Sequence, residues 1–446
     1  MTSMRTLTHY LARTLTIFAA VAVSACGSDK RTTPVTPEPT PIAASVTLEP
    51  ADTTVSVEDT VRFRATARTA AGVVIPNAIL TYVSTAPLTV EQVGAQGIAS
   101  RTGTTTITVT TGGVSAGAVV RVRTRILTYE LPSPSNSFAE VYGVDDAGTV
   151  IGGVYGRGGE AFTSGAGSTL TILTGASSSG PSQARAIGPT GMITGYVTVQ
   201  TSFASYHLAT WTKAGVLRDR GSPGVTKAIG IGVAADSTIL VIYDRLVFGS
   251  PRDGALLLSP SGATTILPTL ITDGYFLPTA MSSDGSVVGL STSAAGPIIP
   301  VIWRGGNGTQ AISGLPASAV PNAVASQDRV VGTLNSNVAQ AFSWTSAGGM
   351  RQLGTLGGVQ SQANAINDAG TIVGAATLSN GFYHACIWTD STGIIDIGAG
   401  LNGWTTANAV SPGGIVAGLL YPPTSPAPGI QQISNKVIVW VTRRRK

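Results

Sequence analysis

The chain has 446 residues, of which only 11% are charged and 55 are glycine, and its formal net charge is +5. A sequence so poor in charge and so rich in glycine favours closely packed strands joined by many turns, and it excludes a disordered chain. Beyond the first residues the apolar positions show no helical period, which also excludes a helical bundle. The length leaves room for two or three domains.

Residues 1–25 are predicted to form a bacterial secretory signal peptide. Arg5 and Arg13 provide its basic start, and the apolar run at residues 15–23 is too short for a membrane-spanning helix with ordinary flanks. Removal of this segment takes away two arginines and no acid, so the net charge falls from +5 to +3. A nearly neutral mature chain argues against a nucleic-acid partner.

The signal ends in V-S-A-C, with the cysteine at position 26. This string resembles a lipobox, and the resemblance implies that Cys26 is the acylated first residue of a lipoprotein held to the membrane by its lipid. The alternative is an ordinary cleaved signal with a chance cysteine. Gly27, and not aspartate, follows the cysteine, which resembles the outer-membrane sorting pattern of Gram-negative lipoproteins. If Cys26 is acylated, only Cys386 remains, and no intrachain disulfide can form.

Two segments precede the repeats. Residues 26–44 are rich in proline and threonine and are predicted to be a semi-rigid tether. Residues 45–124 contain short alternating strands, such as the one around Ile107 and Val109, and are predicted to form a small β-sandwich. The strings V-S-V-E-D-T-V-R-F-R-A-T-A and G-I-A-S-R-T-G-T-T-T-I-T-V resemble the bacterial Ig-like group 2 domain, although Tyr82 stands where that family usually has tryptophan.

Residues 125–446 carry an internal repeat. Its core, A-[IV]-x-x-x-G-x-[IV]-[VIT]-G, is clearest in the stretch from Gln352 to Gly398. With at most one departure per copy it occurs at Gly143–Gly152, Ala186–Gly195, Ala280–Gly289, Ala323–Gly332, Ala365–Gly374 and Ala409–Gly418, with a worn copy at Gly232–Val241. Four apolar runs separated by turn residues fill each clear copy, which predicts seven four-stranded blades of a β-propeller. The strings G-T-L-G-G, Q-A-F-S-W and Y-H-A-C-I-W resemble the HAF repeat, a family of extracellular repeats that implies no particular activity.

The seventh copy runs through Val437–Thr442 and then stops without a fourth strand. Ile126–Leu131, which precedes the first complete copy, has the composition of a fourth strand. We therefore predict an all-β protein in which a small Ig-like β-sandwich precedes a seven-bladed β-propeller closed by the strand Ile126–Leu131. Such closure removes the exposed edges of an open array.

Few residues are candidates for chemistry. His207 and His384 occupy equivalent repeat positions without a recurring acidic partner in the sequence, so repeat position explains them better than metal binding or catalysis does. Cys386, inside a strand, is predicted to be a buried inert thiol. Asp145-Asp146, Ser282–Gly285 and Asn367-Asp368 are typical of tight turns.

Five arginines in or just beyond residues 45–124 are either a basic patch for anionic surfaces or solvated strand faces, and the second is favoured: Arg62, Arg64, Arg121, Arg123 and Arg125. Arg443–Lys446 is predicted to be a solvated tail. No catalytic, cofactor-binding or metal-binding residue is predicted.

These features favour a non-enzymatic lipoprotein of the cell surface, a binding or adhesion module for a glycan, a surface protein or a small ligand. The alternatives are a propeller enzyme that cleaves polysaccharide as a lyase or glycosidase, and a purely structural envelope component. An enzyme should place two or more acids, or a His/Tyr/Arg set, at the strand ends around the funnel.

Overall fold

The structure is a computed structural model that describes residues 41–123, 126–131, 138–155, 159–165, 170–173, 180–200, 204–222, 225, 227–247, 250–293, 296–390, 392–423 and 435–442. Within these residues the fold is all-β, with two short 3₁₀ turns at Gly305–Asn307 and Ser326–Asp328 and no α-helix. None of the described segments could cross a bilayer as a helix. The signal segment and Cys26 lie outside the described residues.

The described chain folds as two compact units. Residues 41–53, 61–97 and 104–120 belong to the first, and residues from 121 onward belong to the second, together with Thr54–Thr60 and Ile98–Gly103. Nine short strands lie between residues 45 and 123: β1 (Ser45–Glu49), β2 (Asp52–Ser56), β3 (Thr60–Arg62), β4 (Arg64–Arg68), β5 (Thr81–Ser84), β6 (Val90–Val93), β7 (Gln96–Ala99), β8 (Gly103–Thr111) and β9 (Val114–Arg123).

These nine strands form three sheets, in the orders β1-β4, β2-β9-β8-β5 and β3-β7-β6. The alternation in the sequence sets their buried face, since Ile107 and Val109 of β8 are fully buried while Thr108 between them is partly exposed. Phe63 and Val61 are buried as well, as expected from their alternation with Arg62 and Arg64.

The described part of the second unit contains seven four-stranded antiparallel sheets. Sheets 1 to 6 are meanders in which strands follow one another in chain order. Sheet 1 has β11 (Phe138–Val144), β12 (Val150–Tyr155), β13 (Glu160–Ser164) and β14 (Thr171–Ile172); sheet 2 has β15 (Ser182–Ile187), β16 (Ile193–Gln200), β17 (Ala204–Trp211) and β18 (Leu217–Gly221); sheet 3 has β19 (Ala228–Val233), β20 (Ile239–Val247), β21 (Ser250–Leu258) and β22 (Thr264–Ile266).

The remaining sheets repeat this arrangement. Sheet 4 has β23 (Tyr275–Met281), β24 (Val287–Thr292), β25 (Ile299–Trp303) and β26 (Thr309–Ala311); sheet 5 has β27 (Ala319–Ala325), β28 (Arg329–Asn335), β29 (Ala339–Thr345) and β30 (Gly349–Gln352); sheet 6 has β31 (Gly357–Ile366), β32 (Ile372–Leu378), β33 (Tyr383–Thr389) and β34 (Gly393–Asp396); sheet 7 has β35 (Trp404–Val410), β36 (Val416–Tyr421), β37 (Lys436–Thr442) and, from the other end of the unit, β10 (Ile126–Leu131).

Sheet 7 has the order β10-β37-β36-β35. Ile126 lies opposite Thr442 in the ladder and Leu131 lies opposite Val437, so β10 is antiparallel to β37 along its whole length. This is the pairing that the sequence predicted for Ile126–Leu131. It gives sheet 7 the four strands of the other sheets.

Apolar residues pack between successive sheets. Sheet 6 contributes Val373 and Ile387, and sheet 7 contributes Ile438 and Trp440, to one buried cluster. A comparable cluster lies between sheet 7 and sheet 1, where Val437 and Leu419 pack with Val141 and Val154 among others. Burial of each large side chain of this kind stabilises the fold by about 1.5–3 kcal/mol. The last sheet therefore packs on the first, as each other sheet packs on the next.

The glycine that ends the repeat core has a steric cause. At Gly374 a Cβ atom would lie 1.9 Å from the carbonyl oxygen of Gln362 on the neighbouring strand, and at Gly332 it would lie 2.0 Å from that of Val320. The glycines that close the other clear copies meet the same obstacle, at distances between 1.8 and 2.1 Å: Gly152, Gly195, Gly289 and Gly418. Only glycine lets the two backbones approach this closely.

Candidate functional site

Every first strand of the seven described sheets carries a β-bulge at the same place. In sheet 6, for example, Ala363 pairs with Gly374 and Ala365 with Val373, so Asn364 has no partner across the ladder. A bulge turns its extra residue out of the regular alternation. The seven bulge residues, called the bulge ring below, are Tyr142, Arg185, Ile231, Thr279, Asn322, Asn364 and Asn408.

Part of the bulge ring links neighbouring sheets. The amide nitrogen of Asn364 donates to the carbonyl oxygen of Ala407 at 2.9 Å, and that of Asn322 donates to Ala363 at 2.8 Å. The Thr279 hydroxyl donates in the same way to Pro321 at 2.6 Å. Each of these bonds joins a bulge side chain to a backbone carbonyl on the first strand of the next sheet. The bulge ring therefore has a structural role in sheets 4 to 7.

All seven bulge residues line one central cavity of about 790 Å³. Its described lining is uncharged except for Arg185, and it includes the polar side chain of Gln362. The Arg185 guanidinium lies over the ring of Tyr142, with 4.3 Å between its central carbon and the ring centroid. A cavity of this size, with a few directed polar groups, is the usual form of a ligand site.

Tyrosine hydroxyls surround a carboxylate beside this cavity. Glu140 Oε2 accepts hydrogen bonds from Tyr142 and, at 2.9 Å, from Tyr155, and Gln183 donates to the Tyr155 hydroxyl. Burial raises the pKa of Tyr142 well above its usual value, and the hydrogen bond to Glu140 raises it further. Burial likewise raises the pKa of Tyr196, on the next sheet, to about 12. These phenols therefore keep their protons at neutral pH.

Exposed and half-buried aromatic rings extend from this cluster across sheets 1, 7 and 6. We call Phe138, Tyr155, Tyr421, Trp404, Tyr383 and Phe382 the aromatic arc. The rings of Phe382 and Trp404 meet edge to face at 6.0 Å between centroids, and Phe138 lies 6.1 Å from Tyr421. Trp404 is 50% exposed and Phe382 is 43% exposed. The arc is thus an open apolar surface.

The arc borders a cavity of about 670 Å³ on sheets 6 and 7. Its described lining has no charged side chain and combines aromatic rings with Pro422, Pro423 and the polar groups of Gln362 and Thr406. Gln362 lines both cavities, so it lies between the aromatic arc and the central cavity.

The expectation that the two histidines lack acidic partners is wrong. His207 Nδ1 lies 3.0 Å from Asp219 Oδ2, and His384 Nδ1 lies 2.9 Å from Asp396 Oδ2. In each pair the aspartate lies on the fourth strand, which is antiparallel to the third strand that carries the histidine. The two residues are therefore close in space although they are far apart in the sequence. Asp396 also accepts a hydrogen bond from the backbone nitrogen of Gly398 at 2.9 Å. The His384–Asp396 pair therefore stabilises the start of the connection to the next sheet.

The other predicted residues have structural roles. Cys386 is fully buried, and burial raises the pKa of its thiol well above the usual range. Asp145 Oδ1 accepts from the backbone nitrogen of Thr149 at 2.8 Å, and Asp284 Oδ1 accepts from that of Ser286 at 3.0 Å, as tight turns require. Asn367 binds Thr371 in the same manner at 2.9 Å.

The four predicted patch arginines that the structure describes are divided among three sheets. Arg62 ends β3, Arg64 begins β4, and Arg121 and Arg123 lie on β9, so three different sheets carry them. Arg125, Arg443–Lys446 and Cys26 lie outside the described residues. Within the described ranges, no three His, Cys, Asp or Glu side chains come together in a way that could hold a metal ion.

Sequence reasoning missed the bulge ring and the aromatic arc. The sequence contains one indication of the bulge ring: each member directly precedes the first residue of the repeat core, as Asn364 precedes Ala365. The sequence contains no such indication of the aromatic arc, since its rings come from first, second and third strands and from a hairpin loop.

Neither a family model nor a curated protein matches this sequence. Among solved structures, streptogramin B lyase is similar with a TM-score of 0.48 at 10% identity, covering 71% of this chain and 98% of that one. Virginiamycin B lyase from Staphylococcus aureus is similar with a TM-score of 0.44 at 12% identity, over 72% of this chain and 100% of that one. TolB from Acinetobacter baumannii gives 0.38 at 16% identity, over 56% and 64%. Similarities this distant carry no argument about the activity of this chain.

Proposed function

We propose that this protein is a lipid-anchored, non-enzymatic module of the bacterial cell surface that binds neutral glycans through the aromatic arc. In this proposal the seven sheets are the blades of a closed seven-bladed β-propeller made of HAF-type repeats. Residues 45–124 are an Ig-like spacer between the propeller and the anchor at Cys26.

Three observations support the propeller. Each described sheet packs on the next and sheet 7 packs on sheet 1. The first strands of all seven sheets line one cavity. Strand β10 supplies the fourth strand of sheet 7, so that the first and last parts of the unit share one sheet. Closure of this kind removes unpaired sheet edges.

The aromatic arc carries the glycan proposal. A sugar ring has apolar C–H faces and a rim of hydroxyls, so it stacks on exposed aromatic faces and hydrogen-bonds to polar groups at their edge. Trp404 and Phe382 offer such faces, and Gln362 and Thr406 offer such edges. The uncharged lining favours a neutral sugar. Because the arc crosses three sheets, it suits a chain of several sugars rather than a monosaccharide.

A glycan array followed by titration calorimetry tests this function. We expect the wild-type protein to bind a set of neutral oligosaccharides, and Trp404→Ala to weaken that binding roughly tenfold or more, as for an aromatic hot spot. Ile266→Ala is the matched control, because Ile266 is 63% exposed on an outer strand away from the arc. Its affinity should equal that of the wild type.

Two results would contradict the glycan proposal. One is an array on which no neutral glycan binds the wild-type protein. The other is a surface protein that binds the arc in a Trp404-dependent way while glycans do not, which would make the arc a protein-binding surface.

The lipid anchor rests on the lipobox resemblance alone. Cys26→Ala should move the protein from the membrane fraction to the soluble fraction of the cell envelope. A variant that stays in the membrane fraction with unchanged processing would overturn the anchor. Protease accessibility on intact cells then separates display at the outer surface from the periplasmic leaflet.

One observation favours a second candidate, a polysaccharide-cleaving enzyme. Glu140, two tyrosines and Arg185 lie together beside the central cavity, a set that the scattered acids of the sequence did not predict. Turnover assays on polysaccharide libraries decide between the two. Cleavage abolished by Tyr142→Phe in a folded protein would establish the enzyme, and its absence with intact binding would favour the binding module.

A further inference from the structure

The charge of the central cavity distinguishes it from the aromatic arc. Its described lining comes from all seven sheets and contains asparagine, threonine, glutamine and apolar groups, but a single charged side chain, that of Arg185. No aspartate or glutamate is among these lining residues. In a cavity with low-dielectric walls, a cation that has no ion-pair partner attracts an anion much more strongly than it would in bulk water.

Arg185 is held in place without an ion pair. Its guanidinium stacks on Tyr142 at 4.3 Å, and its Nε atom is buried with no hydrogen-bond partner. The one nearby carboxylate, Glu140, accepts hydrogen bonds from the hydroxyls of Tyr142 and Tyr155 and does not line the cavity. In the described part of the chain, no acidic side chain forms an ion pair with Arg185.

The neighbouring residue Gln183 is also incompletely paired. It is 3% exposed, it donates to the Tyr155 hydroxyl, and its Oε1 atom is buried without a partner. Of these two residues, Arg185 lines the cavity and Gln183 does not, so a ligand in the cavity meets Arg185. The guanidinium would bind the anion.

We propose that the central cavity is a second binding site, which takes an organic carboxylate through Arg185. Stacking on Tyr142 fixes the plane of the guanidinium, and its fork of N–H groups matches the two oxygens of a carboxylate. The carboxylate can belong to a uronic acid residue of an acidic polysaccharide or to a free organic acid. This site does not depend on glycan binding at the aromatic arc.

Calorimetry with the full-length protein and defined sugars tests the proposal. The probes are glucuronate, glucose at the same concentration, and an oligomer of galacturonate. We expect glucuronate to bind and glucose not to bind. Arg185→Gln should lower the affinity for glucuronate on the order of tenfold or more, because a charge-assisted pair is lost. Raising the salt concentration should weaken wild-type binding.

Matched variants keep the result interpretable. Arg218→Gln removes an exposed arginine from the outer strand of the same sheet and should bind glucuronate like the wild type. Arg185→Lys keeps the charge without the fork, so it should give an intermediate affinity even if Arg185→Gln fails to fold. Trp404→Ala should leave glucuronate binding unchanged, which separates this site from the aromatic arc.

The outcomes are distinct. Equal affinity for glucuronate and for the galacturonate oligomer indicates a site for a free acid, and tighter binding of the oligomer indicates a site for polysaccharide; both support the carboxylate site. Equal binding of glucose and glucuronate, or Arg185→Gln binding glucuronate as tightly as the wild type, would overturn it. A failure of neutral glycans to bind the arc leaves these results unaffected.

Discussion

Lys436 and Glu130 form an ion pair in sheet 7, with 2.7 Å between Nζ and Oε1. The pair occupies the register position that His384 and Asp396 occupy in sheet 6. Ile438, two residues after Lys436, pairs with Gly418 and with Glu130, just as Cys386, two residues after His384, pairs with Gly374 and Asp396. Strand β10 therefore carries the acid expected of a fourth strand, although it precedes all the other strands of its sheet in the chain.

Deletion of Ile126–Leu131 is the first test of this closure. The deletion removes the outer strand of sheet 7, exposes the edge of β37, and takes fully buried Leu131 from the cluster between sheets 7 and 1. We expect a clear fall in melting temperature and aggregation through the exposed edge, measured by differential scanning fluorimetry and light scattering.

The comparison for that deletion is removal of Arg443–Lys446, a tail that lies outside the described residues. It should leave both measurements near those of the wild type. Equal effects of the two deletions would contradict the role of β10 as a strand that closes the unit. The ion pair itself should matter little, because both side chains are about half exposed, and Glu130→Gln should change stability by less than about 1 kcal/mol.

A second prediction concerns Asn435, which joins sheet 7 to sheet 1. Its Oδ1 accepts from the backbone nitrogen of Ala139 at 2.7 Å, and its Nδ2 donates to the carbonyl oxygen of the same residue at 2.8 Å. Asn435 is 1% exposed, so Asn435→Ala leaves a buried N–H and C=O unpaired and should cost about 2 kcal/mol. Urea unfolding measures this loss. Asn307→Ala, at an exposed position in a short turn, should be neutral.

The sequence predicted the repeats because their signal is steric. The closing glycine recurs wherever the second strand approaches the carbonyl of the first, as at Gly374, and the turn residues recur because each hairpin needs them. The worn copy ends in Val241 and not in glycine, so the prediction of a sheet there depended on the repeat spacing and on the flanking strands. The partner of β10 was predictable since an unpaired third strand at the end of the chain requires one.

The candidate site was not predictable in the same way. The bulge ring combines a tyrosine, an arginine, an isoleucine, a threonine and three asparagines. Its members share a position in the repeat, but no single type of side chain marks that position in the sequence. The His–Asp pairs were missed because strand register, and not sequence distance, places Asp396 beside His384. The aromatic arc depends on packing between sheets, which a repeat pattern does not report.

The third prediction tests the steric origin of the repeat core. In Gly374→Ala the new Cβ would overlap the carbonyl oxygen of Gln362, and neither backbone can move without breaking the ladder. We expect a loss of about 3 kcal/mol in the free energy of unfolding. At Gly306 a Cβ would meet no atom within 4 Å, so Gly306→Ala should change stability by less than about 0.5 kcal/mol. Wild-type stability of Gly374→Ala would refute the explanation.

The fourth prediction is a pH dependence set by Asp390. Arg329 binds both carboxylate oxygens, at 2.8 and 2.9 Å, and Arg351 binds one at 2.8 Å, which together hold the pKa of Asp390 at about 2. Because the folded pKa lies below the usual value of 3.8, the stabilisation is complete above about pH 5 and is lost progressively as the pH falls through 2 towards about 1. The Asp390 side chain is 61% exposed, so the effect should not exceed about 1 kcal/mol.

Asp390→Asn should therefore lower the urea midpoint at pH 7, and the difference from the wild type should shrink below about pH 5 and vanish near about pH 1. Added salt should reduce the difference at pH 7, since exposed ion pairs are screened. Glu49→Gln, an exposed acid in the first unit, is the control. A difference that stayed constant from pH 7 to about pH 1 would mean that Asp390 acts through packing and not through its charge.

The last prediction uses Cys386 to report on both folding and the anchor. Its thiol is fully buried in the cluster between sheets 5 and 6, and burial raises its pKa, so the native protein should hold no thiolate there for a thiol reagent to attack. Native protein purified from the membrane fraction should therefore give no thiol signal with a disulfide reagent. In guanidinium chloride it should give one thiol per chain if Cys26 is acylated, and two if Cys26 is free. Cys386→Ala should abolish the signal under both conditions in the acylated protein, and rapid labelling of the native wild type would show that the strand carrying Cys386 opens before the unit unfolds.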